Sequence, residues 1–291
     1  MSHLTPFALR SRLAAWSAVA VFFLALATPA RAHRIEKSFR VDLRPVVTVR
    51  NASGRITVRP WQKPEVRVVA DHVSEKVETD AAQMGNRVDV VTHLLSENVA
   101  AAELKADYEI TVPEQTELQI RNDSGLIVVK GISGEMTFDT VASDVSLEDV
   151  YGYLVIKTIG GSLDCTRCAG RIEVTSISGN VRLSQAVSYN VRAQTYSGSL
   201  FFDGDFQPGG VYILKNVEGP IEVRFSEHDS FSLSAISIQG TVDNQATLKP
   251  LLHKRQTSPR LSRSLFGTVN EGLARLELTS FSGTIKILKR Q

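Results

Sequence analysis

Cys165-Thr-Arg-Cys168 has the spacing at which two thiols hold a metal or exchange with a disulfide. A zinc site needs two further ligands at matching spacing. No second Cys pair exists, and the next His along the chain is His228. In the nine-residue frame described below, both cysteines fall at places that other blocks fill with Phe, Leu, Ile or Val. They therefore read as small buried thiols or as a local disulfide, not as a reactive pair. Asp203-Gly-Asp205 has the acid spacing of a calcium loop, but the regular Gly-and-Asp repeat of a calcium-binding roll is missing, and a solvated turn is the expectation. Glu227-His228-Asp229 is the densest titratable cluster and reads as a polar loop. The six His are scattered without a metal spacing, and no Gly-rich phosphate loop occurs. Asn51-Ala-Ser and Asn122-Asp-Ser match the glycosylation pattern, yet each sits at a Ser-Gly turn, where Asn has a local use. The sequence thus assigns no catalytic residue, no cofactor and no metal.

Charge and composition narrow the classes further. The chain has 291 residues, with 33 basic and 31 acidic side chains. Met1–Ala32 carries Arg10, Arg12 and Arg31 and no acid, so residues 33–291 hold 30 basic and 31 acidic groups, a net charge of −1. That balance argues against nucleic acid as a partner. Leu13–Ala27 is an apolar run of 15 residues behind a basic start, and Ala30-Arg31-Ala32 gives the small-x-small pattern of a signal-peptidase site. Cleavage between Ala32 and His33, export by the general secretory route and a periplasmic, surface or extracellular location are the expectations. An uncleaved anchor is the alternative, though the run is shorter than the about 20 residues of a span. With the segment removed, the protein is expected not to be integral to a membrane.

A repeat sets the fold. Leu126–Gly179 divides without gaps into six blocks of nine: LIVVKGISG, EMTFDTVAS, DVSLEDVYG, YLVIKTIGG, SLDCTRCAG and RIEVTSISG. The second, fourth and seventh places are apolar in every block, an agreement whose chance is on the order of one in a few million at this composition. The ninth place is Gly134, Ser143, Gly152, Gly161, Gly170 and Gly179. Gly125 precedes the first block. Each block is a short strand and a turn, with places two and four pointing to one side and places three and five to the other. Glycine at the ninth place is expected to supply a positive φ at a corner. The series reads as a parallel β-solenoid. It continues at Gly198, Gly219 and Gly240, spaced 19, 21 and 21 residues apart from Gly179 onward, so one coil is two blocks, 18–21 residues. An 18-residue coil stacks Lys130 on Glu148 and Asp139 on Lys157, whereas a 27-residue coil stacks Lys130 on Lys157. The charges favour the shorter one.

An isolated copy of the unit, Asn51-Ala-Ser-Gly54-Arg-Ile-Thr-Val58, lies upstream, followed by strand patterns at 65–73, 87–95 and 107–112. Residues 96–106 are a brief helix or a loop. The expected organisation is a signal peptide (1–32), an N-terminal β cap (33–124) and a solenoid (125–291) in one continuous domain. A basic surface excursion is expected at about 245–271, and the run ending at Ser282-Gly283-Thr-Ile285 is expected to close the solenoid's end.

The passages DYEITVPEQTELQIRNDSGLIVVKGISGEM, TSISGNVRL and LELTSFSGTIKIL resemble the bacterial "putative adhesin" proteins, the domain of unknown function 4097 that includes LiaG- and LiaX-like envelope proteins. The resemblance spans about 39–289. It implies a right-handed β-solenoid in an exported protein, with roles in surface attachment or envelope stress, and brings no active-site residues with it. Two functions follow as expectations. One is a non-catalytic envelope module that binds a protein or glycan along its long β-face. The other is a carbohydrate-active β-helix enzyme, a lyase or hydrolase, which requires carboxylates converging in a groove.

Overall fold

The computed structural model of the protein describes residues 33–96, 98–249 and 263–290. The expected signal segment, residues 1–32, lies outside them, and His33 opens the first strand. The strands are β1 (His33–Arg40), β2 (Val46–Trp61), β3 (Glu65–His72), β4 (Val77–Met84), β5 (Arg87–Leu94), β6 (Ala106–Pro113), β7 (Glu117–Lys130), β8 (Ser133–Glu148), β9 (Tyr151–Thr158) and β10 (Leu163–Thr166). They continue as β11 (Ala169–Ser176), β12 (Val181–Thr195), β13 (Leu200–Asn216), β14 (Ile221–Phe225), β15 (Phe231–Ser237), β16 (Val242–Asn244), β17 (Ser264–Val269), β18 (Ala274–Ser280) and β19 (Ile285–Lys289). Between β5 and β6 the chain makes one 3-10 turn, Ala101–Glu103.

The expected coil is present. Parallel pairing joins Leu118 to Met136, Met136 to Leu154 and Leu154 to Ile172, a constant step of 18 residues. Lys130 meets Glu148 in an ion pair and Asp139 lies beside Lys157. Toward the C-terminus the step lengthens to 19 (Val181 to Leu200) and 21 (Leu200 to Ile221). Each coil has two faces. Face one holds β9, β11 and β18 with the leading halves of β7 and β8 and the trailing halves of β12 and β13. Face two holds β10, β14, β19 and the other halves. Inward rows of Ile, Leu, Val and Phe from both faces, such as Phe138, Ile156, Ile127 and Leu147, fill the core between them and are fully buried.

Both ends depart from simple winding. The first coil, β2, is a full member of the stack: its residues 46–58 pair with 117–129 of β7, so the expected cap boundary at 124 falls inside a strand. β2 is flanked on its far side by β5 and β6, which arrive later in sequence. Beyond them the pairing turns antiparallel, with β4 on β5 and β1–β3 on β6, and this is the cap. At the other end, β18 and β19 do not close the solenoid. They lie between the β13–β14 coil and the β15–β16 coil. The 245–271 stretch contributes β17, antiparallel on β15, so part of the expected excursion is an end strand. Antiparallel strands thus form the edges of the stack, β1 and β4 at one end and β17 at the other.

Two expectations about the nine-residue frame need correction, and both follow from a coil having two unlike corners. The seventh place is buried at Ile132, Val150 and Cys168 but about half exposed at Val141, Ile159 and Ile177. Glycine at the corners also has two roles. Gly54, Gly125, Gly134, Gly152 and Gly170 do have left-handed φ values. Gly161, Gly179, Gly198, Gly219, Gly240 and Gly283 do not. Their reason is close approach. A Cβ on Gly179 would stand 1.9 Å from the carbonyl oxygen of Gly161, and each glycine of this row meets the coil beneath it in the same way. The row runs Gly161, Gly179, Gly198, Gly219, Gly283, Gly240, which repeats the displaced order of the last coils.

Candidate functional site

The corner with the glycine row is built from a four-residue pattern: Ser, Thr or Asn, then an apolar residue, any residue, and Gly. The first side chain turns inward and accepts a hydrogen bond from the glycine N–H. Thr158 takes that of Gly161 at 3.1 Å, Ser176 that of Gly179 at 2.8 Å, Thr195 that of Gly198 at 3.2 Å and Asn216 that of Gly219 at 2.9 Å. Ser280 and Ser237 do the same for Gly283 and Gly240. With that polar group satisfied inside, the second residue is left pointing outward. Backbone bonds link the outward residues rung to rung: Val141, Ile159, Ile177, Tyr196, Val217, Phe281 and Ile238. Six of the seven are exposed, from 43% at Val141 to 55% at Ile238.

Beside this ridge, face one is hollowed across β11, β12, β13 and β18. A hollow of about 420 Å³ is lined by Thr175, Gln194, Lys215 and Thr279, with Tyr196 and Phe281 on the ridge side. A second hollow of about 250 Å³ shares Thr175, Gln194 and Lys215 with it and extends to Glu173, Arg192 and Ile213. Together they form a groove crossing the strands. Its floor is two rows of outward side chains in register. One runs Thr175, Gln194, Lys215, Thr279, and the other Glu173, Arg192, Ile213, Glu277.

The electrostatics are mild. Glu173 accepts hydrogen bonds from Arg171, which hold its carboxyl below the usual range, with Tyr153 donating at 3.2 Å and Arg192 forming an ion pair at 3.6 Å. Partial burial pushes the Tyr153 hydroxyl up, aided by its bond to Glu173. Gln194 donates to Thr175 across neighbouring strands at 3.2 Å. Lys215 has no ion-pair partner among the described residues. The groove therefore offers amide, hydroxyl and ammonium groups beside two exposed rings.

The residues singled out in the sequence lie elsewhere. Cys165 and Cys168 are fully buried and joined as a disulfide, their Cα atoms 5.9 Å apart. Asp203 and Asp205 are claimed by Arg290, at 2.7 and 3.1 Å. Asp229 is buried and caps the turn before β15, accepting from the backbone of Phe206 and Ser226. Asn51 and Asn122 are buried and their amides bond to backbone carbonyls, which leaves no room for a glycan at either. No group of three or more His, Cys, Asp or Glu among the described residues is arranged to hold a metal. Sequence reasoning missed the ridge and groove. The available signal was the Ser/Thr/Asn–apolar–x–Gly pattern, which marks one corner of every coil from Thr158 onward.

Fold and site define a class: an all-β parallel solenoid with one hollowed strand face and an apolar corner ridge. The chain belongs to the Toastrack family, DUF4097, whose model matches residues 46–288, from the first residue of β2 into β19. No curated protein matches it in sequence. Solved structures with similarity include one described as a "putative cell adhesion protein" from Clostridium sporogenes ATCC 15579, 9% identical, covering 89% of this chain and 100% of that one at a TM-score of 0.28. Another is a "putative adhesin" from Bacteroides fragilis NCTC 9343, 10% identical, with 88% and 97% coverage and a TM-score of 0.39. No described helix is long and apolar enough to cross a membrane.

Proposed function

We propose that the protein is an exported, non-catalytic binding module of the bacterial cell envelope that holds a glycan chain in the groove of face one. The observation that carries this reading is the make-up of the groove. Rows of Thr, Gln and Lys run beside the rings of Tyr196 and Phe281, matching the mixed polar and apolar surface of a sugar. Stacked strands also give a rigid floor, so little ordering is needed on binding. The competing hydrolase reading needs two carboxylates about 5–9.5 Å apart. On the floor row these are Glu173 and Glu277, three strands apart and thus about 14 Å. Glu173 is moreover held ionised by Arg171, which does not suit a general acid. Export is supported by the basic-then-apolar segment ending at Ala32 and by the disulfide, a bond that persists in oxidising compartments.

Cosedimentation with isolated bacterial cell walls tests the reading. The intact protein should be retained saturably, and soluble wall glycan should compete. A Gln194→Ala, Tyr196→Ala double variant should be retained at least about tenfold more weakly. Equal retention of that variant, or glycan cleavage by the intact protein, would overturn it.

A further inference from the structure

The apolar ridge runs on past the groove: Tyr196, Val217, Phe281 and Ile238 border the hollow, whereas Val141, Ile159 and Ile177 continue beyond it, so a ligand in the groove leaves that end uncovered. The ridge's seven rungs stand one strand spacing apart, about 4.8 Å, so it is roughly 29 Å long. Soluble monomers rarely expose a continuous apolar feature of that extent. We propose that the ridge is a self-association surface, on which a second copy of this chain docks antiparallel about a two-fold axis through Tyr196. This goes beyond the glycan-binding reading, and because the flank that the second copy covers is the groove floor, the dimer and the glycan complex are alternative states of face one.

Three features commit the surface to a second copy. The first is its symmetry: Tyr196 is the middle rung and carries a large ring. Rotation about an axis across the ridge at that point sets Val141 against Ile238, Ile159 against Phe281 and Ile177 against Val217. Every apolar side chain of the ridge then meets another apolar one from the second copy, so the patch is complementary to itself, as an isologous interface requires. The second is charge. The residues flanking the ridge on face one are, in rung order, Asp139, Lys157, Thr175, Gln194, Lys215, Thr279 and Ile236. The rotation lays Asp139 on Ile236, Lys157 on Thr279 and Lys215 on Thr175 of the other copy, so no like charges meet. On the opposite flank, Glu218 falls on Ser178. The third is size. Each rung offers its apolar residue, the residue two before it and the one after it to solvent, which makes 21 residues over seven rungs. A standard interface takes about 20–30 residues from each partner.

Sedimentation equilibrium of the purified protein should give twice the monomer mass. Ile159→Lys and Ile177→Lys, both outside the groove lining, should each raise the dimer dissociation constant at least about tenfold while circular dichroism and the unfolding midpoint stay as in the parent. A short bismaleimide gives a geometric test. Tyr196→Cys should crosslink to itself. Val141→Cys and Ile238→Cys should crosslink only when mixed with each other. A monomer at every accessible concentration, an undiminished dimer in the lysine variants, or self-crosslinking of Val141→Cys would each overturn the proposal. Ile159→Lys and Ile177→Lys leave the groove lining untouched and should keep the cell-wall retention of the parent, so loss of the dimer and loss of glycan binding are read separately.

Discussion

Gly160 and Gly161 are neighbours, yet alanine should act on them in opposite directions. A Cβ at Gly161 would lie 1.8 Å from the Ser143 carbonyl oxygen of the coil beneath, and real Cβ atoms are not found closer than about 3.0 Å. The two coils must part by more than 1 Å at that corner. Three hydrogen bonds cross the same gap within two residues: Gly160 N–H to Val141 O at 2.7 Å, Val145 N–H to Ser162 O at 2.8 Å and Ser162 N–H to the Asp144 carboxylate at 2.9 Å. Opening the gap forfeits them at about 1 kcal/mol each, so Gly161→Ala should cost about 3 kcal/mol or more. Gly160 has no positive φ, and its nearest neighbours for a Cβ are 3.6 Å away, ordinary contact. There alanine mainly restricts the unfolded chain and should stabilise by about 0.4–1 kcal/mol. Urea unfolding followed by circular dichroism reads the difference. With a slope of about 1–3 kcal/mol per M, Gly161→Ala should unfold at least about 1 M earlier than the parent, and Gly160→Ala at the same point or later. Equal midpoints for the two variants would refute the close-approach argument, and with it the account of the glycine row.

Three further outcomes follow from the packing. Ile156 is fully buried and Lys157 beside it is exposed, so Ile156→Asp should cost several kcal/mol or leave the protein insoluble, while Lys157→Asp should cost about 1 kcal/mol or less by the same urea assay. Ending the chain before Ala274 removes an interior coil with Leu276, Leu278, Ile285 and Ile287 fully buried. At about 1.5–3 kcal/mol each this rivals a typical total stability, so the truncated protein should lose cooperative unfolding; a native-like melting curve would contradict the interleaved order. Burial raises the Tyr108 and Tyr212 hydroxyls to about 12, so folding favours their protonated forms. Stability from both is complete below about pH 10, the unfolded value, and should fall by about 2–3 kcal/mol per tyrosine as pH rises to about 12; Tyr212→Phe should flatten that decline in pH-dependent urea titrations.

Much of the coil was legible because it is local. Two-residue alternation and recurring corners fix which side chain points inward, and the Lys130–Glu148 pair follows from the 18-residue step. The order of the end coils is not local. Gly219 and Gly240 are 21 residues apart, the same spacing as Gly198 and Gly219, yet β18–β19 separates them in space. Nothing in that spacing distinguishes contact from a gap that a later segment fills. The alternation at the seventh place was hidden for a related reason. A nine-residue frame treats every corner alike, whereas the buried Thr158, Ser176 and Thr195 turn only one corner of each coil outward. The groove depends on both effects, since Thr279 and Phe281 reach it from a strand 64 residues beyond the one they pair with.

The central functional claim is that the groove of face one binds a glycan and leaves it intact. Isothermal titration of soluble cell-wall glycan into the protein, with chromatography of the glycan recovered afterwards, tests both halves at once. The account predicts saturable heat that the Gln194→Ala, Tyr196→Ala variant loses, and a glycan recovered at its original length. Shortened glycan, or heat undiminished in the variant, would contradict it.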